Sequence, residues 1–182
     1  ANCADSWNFL SWPNPNLSCA DDVVSYNIYY TPVENEDMTL LISLSPATAI
    51  NYLHDSLSSI AGCYAVTAVD SFGNQSALSN IVCVENCPIY ELPNVFTPNG
   101  DGSNDLFIPF PYKYVESIDI HIYNRWGEEV FTSADPDILW DGMHRTSKKL
   151  CSDGVYYYVC KVNEIRLKGV EARVLTGFVH LI

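Results

Sequence analysis

Strict alternation of apolar and polar residues is the feature of this sequence that most limits its fold. Residues 24–30 alternate in this way, and residues 118–123 repeat the pattern with Ile118, Ile120 and Ile122 in one phase. Successive side chains of a β-strand point to opposite faces of a sheet, so such a run buries one face. No segment carries an apolar stripe with the period of an α-helix. The sequence therefore predicts an all-β protein.

The spacing of the turn signals indicates how the strands are grouped. Short apolar runs separated by turn residues about every 8–12 positions are typical of antiparallel β-sandwiches. The length of 182 residues suits one large or two small domains. Polar residues followed by Cys87 and Pro88 mark a connector. We therefore expect two consecutive antiparallel β-sandwich domains, at residues 1–87 and 88–182.

Charge is distributed unevenly between the two halves. Residues 1–87 hold nine of the 22 acidic residues and none of the nine Lys and Arg residues. Nucleic acids and anionic lipids need cationic side chains, so neither is expected as a partner. No apolar run reaches the roughly 20 residues of a membrane-spanning helix. Residues 1–5 lack the basic and apolar regions of a secretory signal, so any signal is expected to have been removed or to lie upstream.

Seven cysteines in a short, strand-rich chain favour disulfides formed in an oxidising compartment. An odd number leaves at least one cysteine without a partner inside the chain. Cys63 and Cys83, on either side of the turn at residues 72–73, are the best-placed pair. Bonded cysteines keep their Cα atoms within ~7 Å, so a bond between Cys151 and Cys160 needs a bend at residues 152–154. The candidate pairs are Cys63 with Cys83, Cys3 with Cys19, and Cys151 with Cys160.

Three blocks in the first half carry a family resemblance. They are Leu10-Ser11-Trp12-Pro13, then Tyr26-Asn27-Ile28-Tyr29-Tyr30, then residues 63–70. Together they resemble a fibronectin type III module across residues 6–85. The resemblance implies an immunoglobulin-like sandwich in which Trp12 packs under a Tyr of the next strand. It also implies that Tyr64 closes the loop after Leu57, and that this half acts as a spacer or binding module.

Five blocks in the second half carry a more specific resemblance. In chain order they are residues 92–105, Ile122 to Phe131, Trp140-Asp141-Gly142, residues 152–158 and residues 177–182. The series is similar to the gliding-motility-associated carboxy-terminal domain, the type B sorting domain of the type IX secretion system. The resemblance implies recognition by the outer-membrane translocon and export to the cell surface. It also implies an outer-membrane β-barrel partner of the PorP/SprF type.

Two segments are candidates for contact with the translocon. The final run alternates, and as an edge strand it would offer unpaired backbone groups to a partner by β-augmentation. The turn at Arg125-Trp126-Gly127 presents residue types that dominate many interfaces. The alternative places Trp126 in the core, and we favour it because large aromatics dominate small cores. The candidate residues are Gly177, Phe178, Val179, His180, Leu181, Ile182, Arg125 and Trp126.

One loop carries a partial calcium pattern. Asn99, Asp101, Ser103 and Asp105 place side-chain oxygens at alternating positions around Gly100 and Gly102, as calcium loops do. The loop lacks the later bidentate Glu of an EF-hand. The alternative is a turn held by bonds from Asx side chains to the backbone. Calcium is thus a possible cofactor, and no other cofactor is expected.

Catalysis is not expected of this chain. Its four His residues lie outside any motif with Ser, Cys or Glu that supports nucleophilic or acid–base chemistry. The sequence has no HExxH, no GxSxG and no phosphate-binding glycine loop. The leading hypothesis is therefore a non-catalytic sorting and attachment region of an exported surface protein. The alternative is a carbohydrate- or protein-binding adhesin module of a gliding or attachment protein.

Overall fold

A computed structural model describes all 182 residues and contains eleven β-strands, one 3₁₀ turn at Pro15–Leu17 and no α-helix. The all-β class predicted from alternation is confirmed. The chain divides into two compact units. The first consists of Ala1–Asn86 with Leu167–Gly169, and the second consists of Cys87–Arg166 with Val170–Ile182.

The first unit contains two antiparallel sheets. A two-stranded sheet pairs β1 with β4, and a four-stranded sheet has the order β3-β2-β5-β6. The strands are β1 (Asn8–Ser11), β2 (Val23–Thr31), β3 (Thr39–Leu44), β4 (Asn51–His54), β5 (Gly62–Asp70) and β6 (Val82–Val84).

The core of the first unit is built on the buried face of β2 and β5. Tyr26 and Ile28 of β2 are fully buried, as their shared phase predicts. Trp12 meets Tyr26 edge-on with ring centroids 5.5 Å apart. Burial raises the pKa of Tyr64 to about 12, so its hydroxyl stays protonated. That hydroxyl accepts a hydrogen bond from Asn8 and lies 2.8 Å from Nδ1 of His54, so its partners are these two side chains rather than the loop after Leu57.

The second unit contains one five-stranded sheet in the order β7-β11-β10-β8-β9. β8 pairs antiparallel with β9 and β10, but β7 pairs parallel with β11, which departs from the predicted antiparallel pattern. The strands are β7 (Val95–Phe96), β8 (Val115–Tyr123), β9 (Glu129–Ser133), β10 (Gly154–Arg166) and β11 (Gly169–Leu181).

The core of the second unit lies on one face of this sheet. Ile118, Ile120 and Ile122 of β8 are buried together, as predicted. Trp140 is completely buried, and its ring centroid lies 5.1 Å from that of Phe96. The apolar runs at residues 89–95 and 106–108 are mostly irregular. They supply β7 and the two isolated bridges Ile89↔Lys113 and Phe107↔Trp140.

The cysteines pair only partly as predicted. Cys63 and Cys83 lie opposite each other in β5 and β6 and are joined by a disulfide, as the hairpin predicts. Cys19, Cys151 and Cys160 carry free thiols, so the bridges predicted for Cys3 with Cys19 and for Cys151 with Cys160 are wrong. Cys3 and Cys87 are each disulfide-bonded.

The failed Cys151–Cys160 pair has a clear physical reason. The bend it needs at residues 152–154 is followed at once by β10, which begins at Gly154 and runs straight through Cys160. Six extended residues carry the chain about 20 Å. Cys160 therefore lies deep in the core, while Cys151 stays at the start of the strand.

Candidate functional site

A tight turn between β8 and β9 displays two of the predicted recognition residues. The Asn124 side-chain oxygen accepts hydrogen bonds from the backbone N–H groups of Trp126 and Glu128, both at 3.0 Å. The Asn124 amide in turn donates to the Glu128 carboxylate at 2.9 Å. Gly127 adopts a φ of +81°, a conformation that a residue with a Cβ rarely takes. The turn therefore points Arg125 and Trp126 away from the sheet.

Arg125 and Trp126 form a stacked pair on the surface. The guanidinium carbon of Arg125 lies 4.8 Å from the centroid of the Trp126 ring, within cation–π range. The guanidinium also lies close to Gly154, where a Cβ would lie 3.4 Å from the Arg125 Nη2 atom. The φ of Gly154 is +148°, so the backbone there also favours glycine. The start of β10 is thus shaped to accept the arginine.

The predicted core position of Trp126 is wrong. Its side chain is 79% exposed, whereas Trp140, the other tryptophan of the second unit, is 0% exposed. The difference comes from Asn124, whose bonds hold Trp126 within the turn rather than on the strand. Asn124 is also the sequence signal that could have identified the turn. The side-chain oxygen of an Asn commonly accepts a hydrogen bond from the backbone N–H two residues further along the chain.

A cavity of about 210 Å³ lies beside the stacked pair. Arg125 and Lys149 supply cationic groups to its lining, Asp153 supplies the one carboxylate there, and His144 of the lining lies 3.3 Å from the Glu128 carboxylate. Neither Arg125 nor Lys149 takes part in an ion pair with a carboxylate. The cavity therefore holds unpaired positive charge in a chain whose net charge is −13. Sequence reasoning identified Arg125 and Trp126 here but missed the cavity and its other lining residues.

Two polar groups that carry no charge near neutral pH also line this cavity, the buried Tyr156 and the half-buried Cys151. The hydroxyl of Tyr156 donates to the Ser152 carbonyl oxygen at 2.7 Å, and burial raises the pKa of Tyr156 to about 12. Burial also raises the pKa of the Cys151 thiol. Both groups therefore stay protonated and uncharged near neutral pH. Neither group offsets the positive charge of Arg125 and Lys149.

The terminal strand does not occupy the sheet edge at its final residues. The backbone of His180 and Leu181 pairs with Val95 and Phe96, and β10 lies on the opposite side of β11. The edge position predicted for residues 180–182 is therefore wrong. β7 covers only this end of β11, so the outer edge of residues 170–178 extends beyond it.

The remaining terminal residues alternate between core and surface. Val179 and Leu181 are buried, whereas Phe178, His180 and Ile182 are exposed. The rings of Phe178 and His180 lie edge to face with centroids 5.6 Å apart. Gly177 lies beneath the phenol of Tyr158, which fills the space that a Cβ would take.

The loop at residues 99–105 is held by its own side chains. The two carboxylate oxygens of Asp105 accept backbone N–H bonds from Gly100 at 2.6 Å and from Gly102 at 2.8 Å. Asn99 and Asp101 accept from the backbone two residues on. This geometry is that of the turn alternative. No group of three or more His, Cys, Asp or Glu residues is arranged to hold a metal ion, and calcium binding by Asn99, Asp101, Ser103 and Asp105 stays a prediction.

These features define a β-sheet module that presents a charged aromatic surface from a rigid turn. Residues 90–181 match the family model described as the CHU_C Type IX secretion signal domain. The chain therefore belongs to this family, and the resemblance found in the five sequence blocks is confirmed. No curated protein matches the chain. No helix of the structure has the length and apolar character needed to cross a bilayer.

Solved fibronectin modules are among the similar structures. The FN1–FN3 domains of chicken CNTN1 have a TM-score of 0.36 and 12% identity, with 97% of this chain and 62% of that chain covered. The fibronectin(III)-like modules of Clostridium thermocellum CbhA have a TM-score of 0.30 and 13% identity, with 98% and 85% covered. The chain thus spans less than two thirds of the CNTN1 fragment.

Proposed function

We propose that residues 88–182 are the module by which the type IX translocon recognises this protein for export across the outer membrane and attachment to the cell surface. Residues 1–87 act as a spacer or binding module, and neither part is catalytic. The observation that carries the proposal is the unpaired Arg125 stacked on the exposed Trp126 in a member of the secretion signal family.

The chemistry of this surface supports a role in protein recognition. Trp and Arg are enriched among the residues that contribute most to binding free energy at interfaces. An exposed indole buries a large apolar area when a partner covers it. An arginine that has no carboxylate partner is available for a new ion pair. The cavity beside Arg125 offers a recess for a partner side chain.

The last strand provides a second contact in this proposal. Residues 177–182 present Phe178, His180 and Ile182 to solvent, while β7 leaves the edge of residues 170–178 free for β-augmentation. The partner that we propose for this surface is the translocon together with an outer-membrane β-barrel of the PorP/SprF type.

A reporter fusion tests the proposal. The 182-residue chain is joined after a fluorescent protein that folds in the periplasm, in a host with a type IX system, and surface fluorescence is measured with and without external protease. We expect surface display of the fusion and its loss in the variant with Arg125→Gln and Trp126→Ala. The matched control is Phe110→Ala, which removes an aromatic that is 53% exposed and does not line the cavity. Periplasmic retention of the unaltered fusion would contradict the proposal.

A binding role without a translocon is the second candidate, and the exposed Trp126 beside a cavity favours it. Glycan-array and cell-binding signal from the purified chain, lost on Trp126→Ala while the fusion is still exported, would support an adhesin module. Calcium dependence of that signal would extend the proposal to the loop at residues 99–105. Titration calorimetry with calcium chloride, on the chain and on Asp101→Ala, tests this, and absence of heat in both removes calcium.

A further inference from the structure

Two segments of the second unit line the cavity beside Arg125. One is the turn between β8 and β9, and the other runs from His144 to the start of β10. All the lining residues lie between Asn124 and Tyr156, so neither end of the sequence takes part in the cavity. Its volume of about 210 Å³ is below the roughly 300–1,000 Å³ of sites that enclose a small-molecule ligand. The cavity therefore suits one or two side chains of a partner protein.

Arg125 keeps its hydrogen-bond donors available although its side chain is stacked. The guanidinium carbon lies over the Trp126 ring, 4.8 Å from the centroid. The N–H donors of a guanidinium lie in its plane, so a ring against one face leaves them free for a partner. A carboxylate can accept two of these N–H groups side by side, which is a strong and geometrically specific contact. The stacking thus positions the arginine without using its donors.

His144 lines the cavity but adds no positive charge to it. Its Nδ1 atom accepts a hydrogen bond from the backbone N–H of Thr146 at 3.1 Å, so this nitrogen carries no proton. The proton of the neutral ring is therefore on Nε2, which donates to the Glu128 carboxylate at 3.3 Å. Because His144 and Glu128 are bonded to each other, Arg125 and Lys149 are the groups that attract an anion.

Charge restricts which anion can occupy the cavity. Arg125 and Lys149 are positive and Asp153 is negative, so the lining carries one excess positive charge. A carboxylate matches this excess, whereas a phosphate group carries about −1.5 to −2 charges near neutral pH and is repelled more strongly by Asp153. A second copy of the chain is disfavoured, because two chains of net charge −13 repel each other. The charges therefore favour a carboxylate from a different protein.

We propose that this cavity binds the side chain of an Asp or Glu residue of the translocon. Arg125 and Lys149 bond its carboxylate, and an apolar neighbour of that residue packs on the Trp126 ring. The inference rests on the proposed function for the identity of the partner. It adds the chemistry that the partner must supply, which is an exposed acidic residue beside an apolar one.

Two matched peptides test the proposal on the purified 182-residue chain. Acetyl-Leu-Glu-Leu-amide and acetyl-Leu-Gln-Leu-amide differ only in the carboxylate, and binding is followed by NMR at the Arg125 Nε–H and Trp126 Nε1–H signals. We expect the Glu peptide to bind about tenfold or more tightly than the Gln peptide, and to weaken as sodium chloride is added. Equal affinities overturn the proposal. Inorganic phosphate that binds more tightly than the Glu peptide also overturns it, because the site would then select a phosphate group.

Three single substitutions assign the effect to the cavity. Lys149→Gln should weaken binding of the Glu peptide by about fivefold. Lys148→Gln removes the same charge from the adjacent residue, which does not line the cavity, and should change the affinity by less than about twofold. Asp153→Asn removes the repelling carboxylate and should strengthen binding by about two- to fivefold, a gain that a misfolded chain does not produce. Equal weakening by the two lysine variants would indicate general charge attraction and would overturn the proposal.

The reporter fusion separates this inference from the export role. We expect surface display to fall with Lys149→Gln and to persist with Lys148→Gln. Absence of display for the unaltered fusion, with peptide binding retained, would contradict the export role while supporting the carboxylate site. Display that is insensitive to Lys149→Gln would overturn the translocon as the source of the carboxylate while leaving the export role in place.

Discussion

The phenol of Tyr158 lies directly over Gly177, in the space that a side chain at that position would occupy. The two residues come from the neighbouring strands β10 and β11. The ring of Tyr158 also packs against that of Phe107, with centroids 6.1 Å apart. Tyr158 and Gly177 belong to two separate sequence blocks of the family resemblance, and these blocks meet in this packing contact. Glycine is required at position 177 because the Tyr158 ring approaches the backbone there so closely.

Gly177→Ala tests this contact. The added methyl group must displace the Tyr158 ring, so we expect a loss of about 1–3 kcal/mol in the free energy of unfolding, measured by urea denaturation. In a Tyr158→Ala background the same change should cost much less, because the obstructing ring is gone. Equal costs in the two backgrounds would show that the ring is not the obstacle.

The two tryptophans of the second unit should differ sharply in their effect on stability. Trp140 is fully buried and its Nε1 donates to the Met143 carbonyl oxygen at 3.0 Å, so Trp140→Ala should cost about 3–5 kcal/mol. Trp126→Ala removes an exposed ring and should change stability by no more than about 0.5 kcal/mol. Thermal unfolding by circular dichroism checks both, and Trp140→Phe serves as the milder control.

The loop at residues 99–105 should depend on one carboxylate. Asp105→Asn keeps a single acceptor oxygen, so it loses one of the two bonds to Gly100 and Gly102 and the charge that strengthens them. We expect destabilisation of about 1–2 kcal/mol and faster amide exchange at both glycines. Asp153→Asn, at an exposed aspartate without such bonds, is the control. Unchanged exchange at Gly100 and Gly102 would mean that other contacts hold the loop.

Glu164 should make the second unit sensitive to acid. Its side chain is 3% exposed and accepts bonds from Arg166 at 2.5 Å and from Arg173 at 2.6 Å. Burial alone would raise the pKa of Glu164, but these bonds outweigh it and hold the pKa below its ordinary value of 4.5. The stabilisation is therefore complete above about pH 4.5 and is lost as the pH falls through the lowered value.

Thermal melts from pH 3 to pH 7 check this expectation. The melting temperature of the unaltered chain should fall more steeply below about pH 4.5 than that of Glu164→Gln, which has no carboxylate to protonate. Glu171→Gln, at an exposed strand position, should follow the unaltered chain. Parallel curves for the chain and Glu164→Gln would assign the acid sensitivity to other groups.

The sequence predicts the long strands well because one buried face determines them. The alternation of residues 24–30 and 118–123 corresponds to β2 and β8. The runs at residues 89–95 and 106–108 become mostly irregular, since local propensity does not fix pairing with distant strands. The pairing of β7 with β11 joins residues far apart in sequence, and no local pattern reveals it.

The site was less predictable than the fold. A hairpin places Cys63 and Cys83 opposite each other, whereas pairing that depends on tertiary structure cannot be read from spacing. Trp126 and Trp140 each precede a glycine by one or two residues, and their opposite exposures depend on the hydrogen bonds of Asn124 and on packing around Phe96. The cavity joins residues of two turns, and spacing in the sequence does not bring these together.

The bonds from Asn124 to the backbone of Trp126 and Glu128 have a thermodynamic consequence for any partner. The turn is ordered during folding, so its backbone entropy is already lost before an encounter. Binding then immobilises mainly the Trp126 and Arg125 side chains, at about 0.5–1.5 kcal/mol each, and their stacking reduces that further. A mobile loop of the same composition would lose backbone entropy on binding, and its affinity would be lower by that amount. Because this turn is already ordered, Arg125 and Trp126 contribute to affinity without that loss.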